Sequence, residues 1–204
     1  MRLVDAVSLR SRRRKLALFT ETMGPTPETT VVDVGVDDSG FGDRSGTCGT
    51  LNFFEELYPW PERITAVGIH EGRRFEERYP TASYVQASAL ELPFPDGAFD
   101  VYFSNAVIEH VGPRSAQQRL VAEALRVAPR VFITTPNRWL PVELHTRAPL
   151  VHWLPEAAAH RAYDLIRKPW AKENHLLGPR DLRALFPGDV RIVNLGMTLV
   201  AIVG

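Results

Sequence analysis

Short apolar runs rich in β-branched and aromatic residues recur along this chain with helix-patterned segments between most of them. That alternation restricts the fold more than any other feature. Residues 29–36 (TTVVDVGV), 63–69 (RITAVGI), Ser83–Gln86 (SYVQ), 100–104 (DVYFS) and 130–134 (RVFIT) read as strands. Residues 50–58 put Leu51, Phe54 and Leu57 on one helical face, and Pro59 and Pro61 stop them. Residues 72–79 form a short charged helical segment, and Arg114–Val127 places Leu120, Leu125 and Val127 on one side. Strands joined through helices argue for a Rossmann-like α/β fold. It would be an open, twisted, mostly parallel sheet with helices on both faces. Residues 190–195 and Thr198–Val203, joined by Gly196-Met197, are close enough for a hairpin, so the last strand is expected to run antiparallel at one edge.

The alternation breaks at residues 136–174, which hold Pro136, Pro141, Pro149, Pro155, Pro169, Trp139, Trp153 and Trp170. Ordinary connections run to about 4–6 residues. The spacing predicts an inserted lid at 138–175 after the fifth strand, with a helix near 156–167, then a helix at 179–186. The tryptophans would either line an acceptor pocket or build the lid's own small core. Residues 1–204 are expected to form a single domain, opened by a helix within 1–24 on which Val4, Val7, Leu16 and Phe19 keep helical spacing. Arg10, Arg12, Arg13, Arg14 and Lys15 on that helix read as a solvated face.

A chain that is 45% hydrophobic can bury a sizeable core, and its 24 basic residues are balanced by 24 acidic ones. That balance offers no electrostatic case for a nucleic-acid partner. The single Cys48 cannot form an internal disulfide and fits a reducing compartment. Residues 1–19 lack the apolar stretch of about 7–15 residues that a secretory signal needs. No window approaches the roughly 18–20 apolar residues of a membrane span, so a cytoplasmic protein is expected.

In open parallel sheets, ligands bind beyond the carboxyl ends of the strands. The residues standing there are Gly35 and Val36, His70 and Glu71, Ser88 and Ala89, and Asn105, Glu109 and His110. Val31-Val32-Asp33-Val34-Gly35 resembles the first motif of class I S-adenosylmethionine (SAM)-dependent methyltransferases, an apolar strand ending Asp-x-Gly. Residues 90–111 (LELPFPDGAFDVYFSNAVIEHV) resemble the central motifs of the type-11 group more specifically. Thr134-Thr135-Pro136-Asn137-Arg138 and Asn174-His175-Leu176-Leu177 match related enzymes, so the resemblance spans about residues 31–204.

The resemblance implies SAM as cofactor. Gly35, with Val36, would let the backbone approach the methionine part, and Asp33 would fix that loop by hydrogen bonds. Ser88 and Ala89 would meet the adenine edge, Leu90 would pack on its face, and Asn105 would lie near the methionine end. The chain departs from the pattern where Asp37 and Asp38 enter the glycine loop, and where Ser88 replaces an acidic residue. It departs again at the end of the second strand, where His70, with Glu71 beyond it, takes the place of the acid that grips both ribose hydroxyls. Unless Glu71 takes over, losing that grip should cost about 1–3 kcal/mol of affinity.

Methyl transfer needs alignment, and a base only where the acceptor must lose a proton. Among His110, His145, His152 and His175, His110 is best placed after the fourth strand, and Glu143 could orient His145. His110 and His145 are therefore the catalytic candidates. Close-spaced metal-ligand motifs are missing, so no metal is expected; nicotinamide, P-loop and nucleophile-elbow motifs are missing too. The sequence thus points to methyl transfer onto a small-molecule or lipid-like acceptor, at oxygen by analogy. The alternative is a catalytically inactive binding or scaffold protein of the same fold.

Overall fold

The computed structural model describes residues 3–38, 52–143 and 145–204. Cys48, the glycines at 40, 42, 46 and 49, and the start of the helix expected at 50–58 lie outside the described residues. In chain order the elements are α1 (Leu3–Met23), β1 (Val31–Val34), α2 (Phe53–Leu57), β2 (Ile64–Gly68), α3 (Arg73–Arg78), β3 (Ser83–Gln86) and β4 (Val101–Asn105). They continue with α4 (Arg114–Val127), β5 (Arg130–Pro136), α5 (Glu156–Leu165), α6 (Pro179–Arg183), β6 (Arg191–Asn194) and β7 (Thr198–Val203). Among the described residues, no helix is long and apolar enough to cross a membrane.

The strands form a seven-stranded sheet in the order β3-β2-β1-β4-β5-β7-β6. β1 pairs in parallel with β2 and β4, β2 pairs in parallel with β3, and β6 and β7 form the expected antiparallel hairpin. Strand order reverses between β1 and β4. The residues after β1 therefore stand at the switch point where such sheets bind ligands.

The chain divides into two compact units: residues 1–104 with 123–132 and Gly204, and residues 105–122 with 133–203. In the first, Val31, Val32 and Val34 of β1 are buried without alternation, as a strand covered on both faces requires. Phe19 of α1 meets Phe54, Phe103 and Phe132 edge-on at 5.0, 5.6 and 5.4 Å, while Phe103 stacks on Phe54 at 4.1 Å. Such pairs add about 0.5–1.5 kcal/mol each beyond the area they bury. Arg10, Arg13 and Arg14 are exposed as expected, whereas Lys15 is buried with Nζ 5.0 Å from the centre of the Phe53 ring.

In the same unit, Arg126 and Glu123 of α4 hold the turn-rich stretch from Leu92 to Asp96. Arg126 of α4 pairs with Glu123 at 2.8 Å and Asp96 at 3.0 Å, and donates to the carbonyls of Leu92 and Phe94. Glu123 in turn accepts the Leu92 N–H at 2.7 Å.

In the second unit, α5 falls where the lid helix was expected, and Ala159 and Tyr163 pack with Ala171 and Val151. That small core replaces the tryptophan core offered from sequence. Trp139, Trp153 and Trp170 are 60%, 42% and 48% exposed. Trp139 and Trp153 lie 6.3 Å apart, and the Trp153 indole donates to the Arg138 carbonyl.

Candidate functional site

The first unit carries most of the residues expected to hold the cofactor. β1 ends in Gly35, whose φ of +100° lies where a Cβ is disfavoured. The N–H groups of Gly35 and Val36 both donate to the Val67 carbonyl, at 2.8 and 3.1 Å. Ala87 donates to Gly68 at 2.9 Å, so the loops after β1, β2 and β3 are stitched side by side. Gly35, Ile69 with His70, and Ser88 are thereby brought together, as the ligand rule for such sheets requires.

Individual side chains depart from their expected roles. Asp33 is buried, and its carboxyl is pushed well above the usual range, first by burial and then by the neighbouring Glu55 of α2. Burial also pushes Glu55 up to about 7. Asp33 therefore belongs to a buried carboxyl pair in which both members are pushed towards the protonated form. Asp37 and Asp38, the intrusions in the glycine loop, have structural work. The backbone of Asp37 exchanges two hydrogen bonds with Asn52, at 3.0 and 2.9 Å. Asp38 accepts the Phe75 N–H at 2.7 Å and so caps the first turn of α3.

His70 and Glu71 are both exposed after β2. The His70 carbonyl takes the Tyr84 hydroxyl at 2.7 Å, while Glu71 pairs with Arg73 at 3.2 Å. Both partners of that ion pair are largely solvated, so it holds Glu71 only weakly. Ser88 accepts the Leu90 N–H at 3.2 Å, closing a turn, with Ala89 buried within it. Sequence reasoning missed Ile69, which is 68% exposed beside His70 and offers a flat apolar surface at the strand end. Its position just past a buried run was the available signal.

The second unit holds the remaining candidates. Asn105 closes β4, and its Oδ1 accepts the Thr134 hydroxyl at 2.9 Å. Ala106 next to it has a φ of +59°, an unusual backbone for a residue with a Cβ. The expected base candidates meet: Nε2 of His110 lies 3.2 Å from Nε2 of His145. Behind them, Nδ1 of His145 is 2.7 Å from Oε1 of Glu143, as the two-residue spacing anticipated. Oε1 of the fully buried Glu109 lies 3.8 Å from each Nε2, and its Oε2 accepts the Thr135 hydroxyl at 3.0 Å. Residues 35 positions apart build this cluster, so no short ligand motif announced it.

The environment splits the two imidazoles. Burial and the neighbouring His145 hold His110 below its ordinary value. Burial opposes charge on His145 as well, but Glu143 and Glu109 outweigh it and raise that ring. Glu143 itself, although burial pushes it up, is held at about 2 by hydrogen bonds from His145 and Thr146.

A cavity of about 370 Å³ opens in the same unit, lined by Arg114, Arg138, Lys172, His160, His175 and Asn174 among others. Asn174 also hydrogen-bonds the His110 ring. His152 lines the cavity too, but its Nε2 is engaged by the carbonyls of Arg138 and Leu140, which is structural work. None of the three tryptophans contributes to the lining.

Residues 46–130 match the family model of a methyltransferase domain, the type-11 group. A probable S-adenosylmethionine-dependent methyltransferase of Mycobacterium tuberculosis, found in two strains, is 39% identical over 61 residues. That match covers 30% of this chain and spans 22% of the relative's length. Among solved structures, a SAM-dependent methyltransferase from Aquifex aeolicus aligns over 93% of this chain and 89% of its own, with 15% identity and a TM-score of 0.53. The N-methyltransferase NodS of Bradyrhizobium japonicum, in complex with S-adenosylhomocysteine, aligns over 94% and 85%, with 14% identity and a TM-score of 0.57. The 1,6-didemethyltoxoflavin-N1-methyltransferase of Burkholderia thailandensis aligns over 94% and 76%, with 19% identity and a TM-score of 0.54. At these identities the structural likeness carries the fold, and the Rossmann-like sheet expected from the strand pattern is borne out. The sequence matches, over residues 46–130 and over 61 residues, are to SAM-dependent methyltransferases. By its sheet, its central motifs and these relatives, the chain is similar to the class I SAM-dependent methyltransferases, and its residues 46–130 to their type-11 group.

Proposed function

We propose that this chain transfers the methyl group of SAM to a polar small molecule, at a hydroxyl oxygen. The observation that carries the reading is the chain of contacts from Glu143 through His145 to His110, at 2.7 and 3.2 Å. A sulfonium gives up its methyl group by in-line displacement, which asks for alignment before anything else. A free amine needs no base for that step, whereas a hydroxyl must lose its proton. An imidazole pair oriented by a carboxylate supplies a place for that proton, which favours oxygen over nitrogen. The charged and imidazole-rich cavity lining favours a polar acceptor over a lipid-like one.

On this reading Gly35 and Val36 receive the methionine part of SAM, and Ser88, Ala89 and Leu90 its adenine. His70 or Glu71 meets the ribose, while Ile69 adds apolar contact. Calorimetry with SAM, followed by transfer of radiolabelled methyl to a panel of small hydroxyl and amine compounds, tests it. The expected result is micromolar SAM binding, with transfer to hydroxyl compounds that His145→Gln reduces at least tenfold. Folded protein that binds no SAM up to millimolar concentration overturns the reading and points to a non-catalytic binding protein. Transfer confined to amines and indifferent to His145 overturns the oxygen assignment.

A further inference from the structure

Glu109, His110 and His145 present three ligand-type atoms, Oε1, Nε2 and Nε2, all within 4.8 Å of one another. We propose that these three residues form a binding site for a divalent first-row transition metal, with zinc as the cation to test. The site goes beyond methyl transfer and does not depend on it.

Ligand spacing is the first support. Around a cation bound at roughly 2.0–2.1 Å, neighbouring donor atoms stand about 2.9–3.4 Å apart. The two imidazole nitrogens are already 3.2 Å apart. The carboxylate oxygen, at 3.8 Å from each, needs to close by only a few tenths of an ångström, roughly the tolerance of such sites. Two imidazoles and one carboxylate form a borderline-soft set suited to zinc and its first-row neighbours rather than to calcium or magnesium.

Outer partners are the second support. A metal-binding side chain is held by a hydrogen bond on the atom that faces away from the metal. Here that pattern holds for two of the three ligands. Glu143 takes Nδ1 of His145, which leaves Nε2 of a neutral ring with its lone pair towards the cluster. The Thr135 hydroxyl holds Oε2 of Glu109. A further bond fixes the backbone, as the His175 N–H donates to the Glu109 carbonyl at 2.8 Å.

Access is the third. Glu109 is fully buried, but His145 is 23% and His110 43% exposed, so three protein donors close one side and leave the other open. Three ligands with an open position are the arrangement of metal sites that engage a substrate rather than of purely structural ones. Asn174, which touches His110, also lines the cavity, so an acceptor oxygen seated there could complete the coordination. With a metal bound, the two Nε2 atoms act as ligands, and the cation takes over polarising that oxygen.

The test is titration of the metal-stripped full chain with zinc by calorimetry, paired with the visible absorption of the cobalt(II)-loaded protein. Both are read without SAM or acceptor, so their failure is separable from failure of the methyl-transfer reading. The expected result is one equivalent bound with micromolar or tighter affinity. His145→Ala and Glu109→Gln should weaken binding at least a hundredfold, and Glu143→Gln, which leaves all three ligands in place, about tenfold. Cys48→Ser should bind as the wild type does, which separates the site from the single thiol. Circular dichroism and thermal melting of each variant show whether it is folded, and His145→Gln serves if His145→Ala is not. No zinc bound by folded wild type, or binding that survives in folded His145 and Glu109 variants, overturns the proposal.

Discussion

Nδ1 of His145 and Oε1 of Glu143 stand 2.7 Å apart, and the second oxygen of Glu143 accepts the Thr146 N–H at 2.5 Å. The carboxylate is thus gripped by a ring and by backbone at once, which holds it at about 2 against the upward push of burial. A carboxyl depressed in the folded state contributes stability above its unfolded value, near 4.5, and loses it as pH falls through about 2. Glu143→Gln should therefore destabilise the protein by roughly 2–3 kcal/mol at pH 7, with the deficit shrinking towards pH 2. The same change should lower the His145 titration midpoint, because Glu143 raises it together with Glu109. Urea unfolding at pH 7 and pH 3, with proton NMR of the histidine rings, checks both. A deficit that stays constant with pH counts against the assignment.

The buried pair of Asp33 and Glu55 predicts the opposite pH dependence. Burial raises Glu55 to about 7, and Asp33 is raised as well. A group raised in the folded state contributes stability below its unfolded value, and that contribution disappears as pH climbs through the folded one. Melting temperature should consequently fall between about pH 5 and pH 8. Glu55→Gln, which stays neutral, should flatten that fall. A wild-type melting curve that is level over this range would show that the pair does not retain its proton.

Arg126 is the side chain on which the stretch from Leu92 to Asp96 depends, through two carbonyls and two carboxylates. Hydrogen bonds to charged groups contribute about 1.5–3 kcal/mol each when desolvated, and less here because the guanidinium is partly exposed. Arg126→Ala should lower the denaturation midpoint, and Arg126→Lys should recover less than half of the loss, since one ammonium cannot reach four acceptors spread over a fork. Chemical denaturation of the three proteins decides it.

How far the chain could be read from sequence follows from the range of the forces involved. Strand and helix patterns are local, so β3, α4 and β7 were placed at Ser83–Gln86, Arg114–Val127 and Thr198–Val203 from spacing alone. α6 ends at Arg183, short of the expected Phe186, because a helix terminus depends on which backbone groups find other partners. Of the site, the Glu143–His145 contact was legible because two residues apart is a local relation. Glu109, His110 and His145 converge through the path of the lid, which no local spacing encodes. The tryptophans misled for a related reason. Large apolar side chains suggest burial on average, yet here small Ala159 and Ala171 around Tyr163 fill the lid's core and the indoles remain outside. Asp38 was legible only as a departure from the glycine-loop pattern, and its structural role shows in its bond to the Phe75 N–H.

The loop after β2 allows the cofactor reading to be tested by gain of function. His70 is exposed, its carbonyl is held by Tyr84, and its imidazole stands where the family pattern places a ribose-gripping carboxylate. A carboxylate accepts from both ribose hydroxyls, whereas a neutral imidazole offers one acceptor and one donor. Because the backbone is pinned by Tyr84 and by Gln86 on the Ile69 carbonyl, an aspartate at 70 should inherit the loop's geometry without a folding penalty. His70→Asp should tighten SAM binding about tenfold, within the roughly 1–3 kcal/mol of two charge-assisted bonds. Glu71→Gln in the wild-type background separates the remaining cases. A tenfold loss there would show that Glu71 leaves its weak pair with Arg73 to grip the ribose, and His70→Asp should then gain little. If neither change moves the dissociation constant measured by calorimetry, the ribose does not sit at this loop.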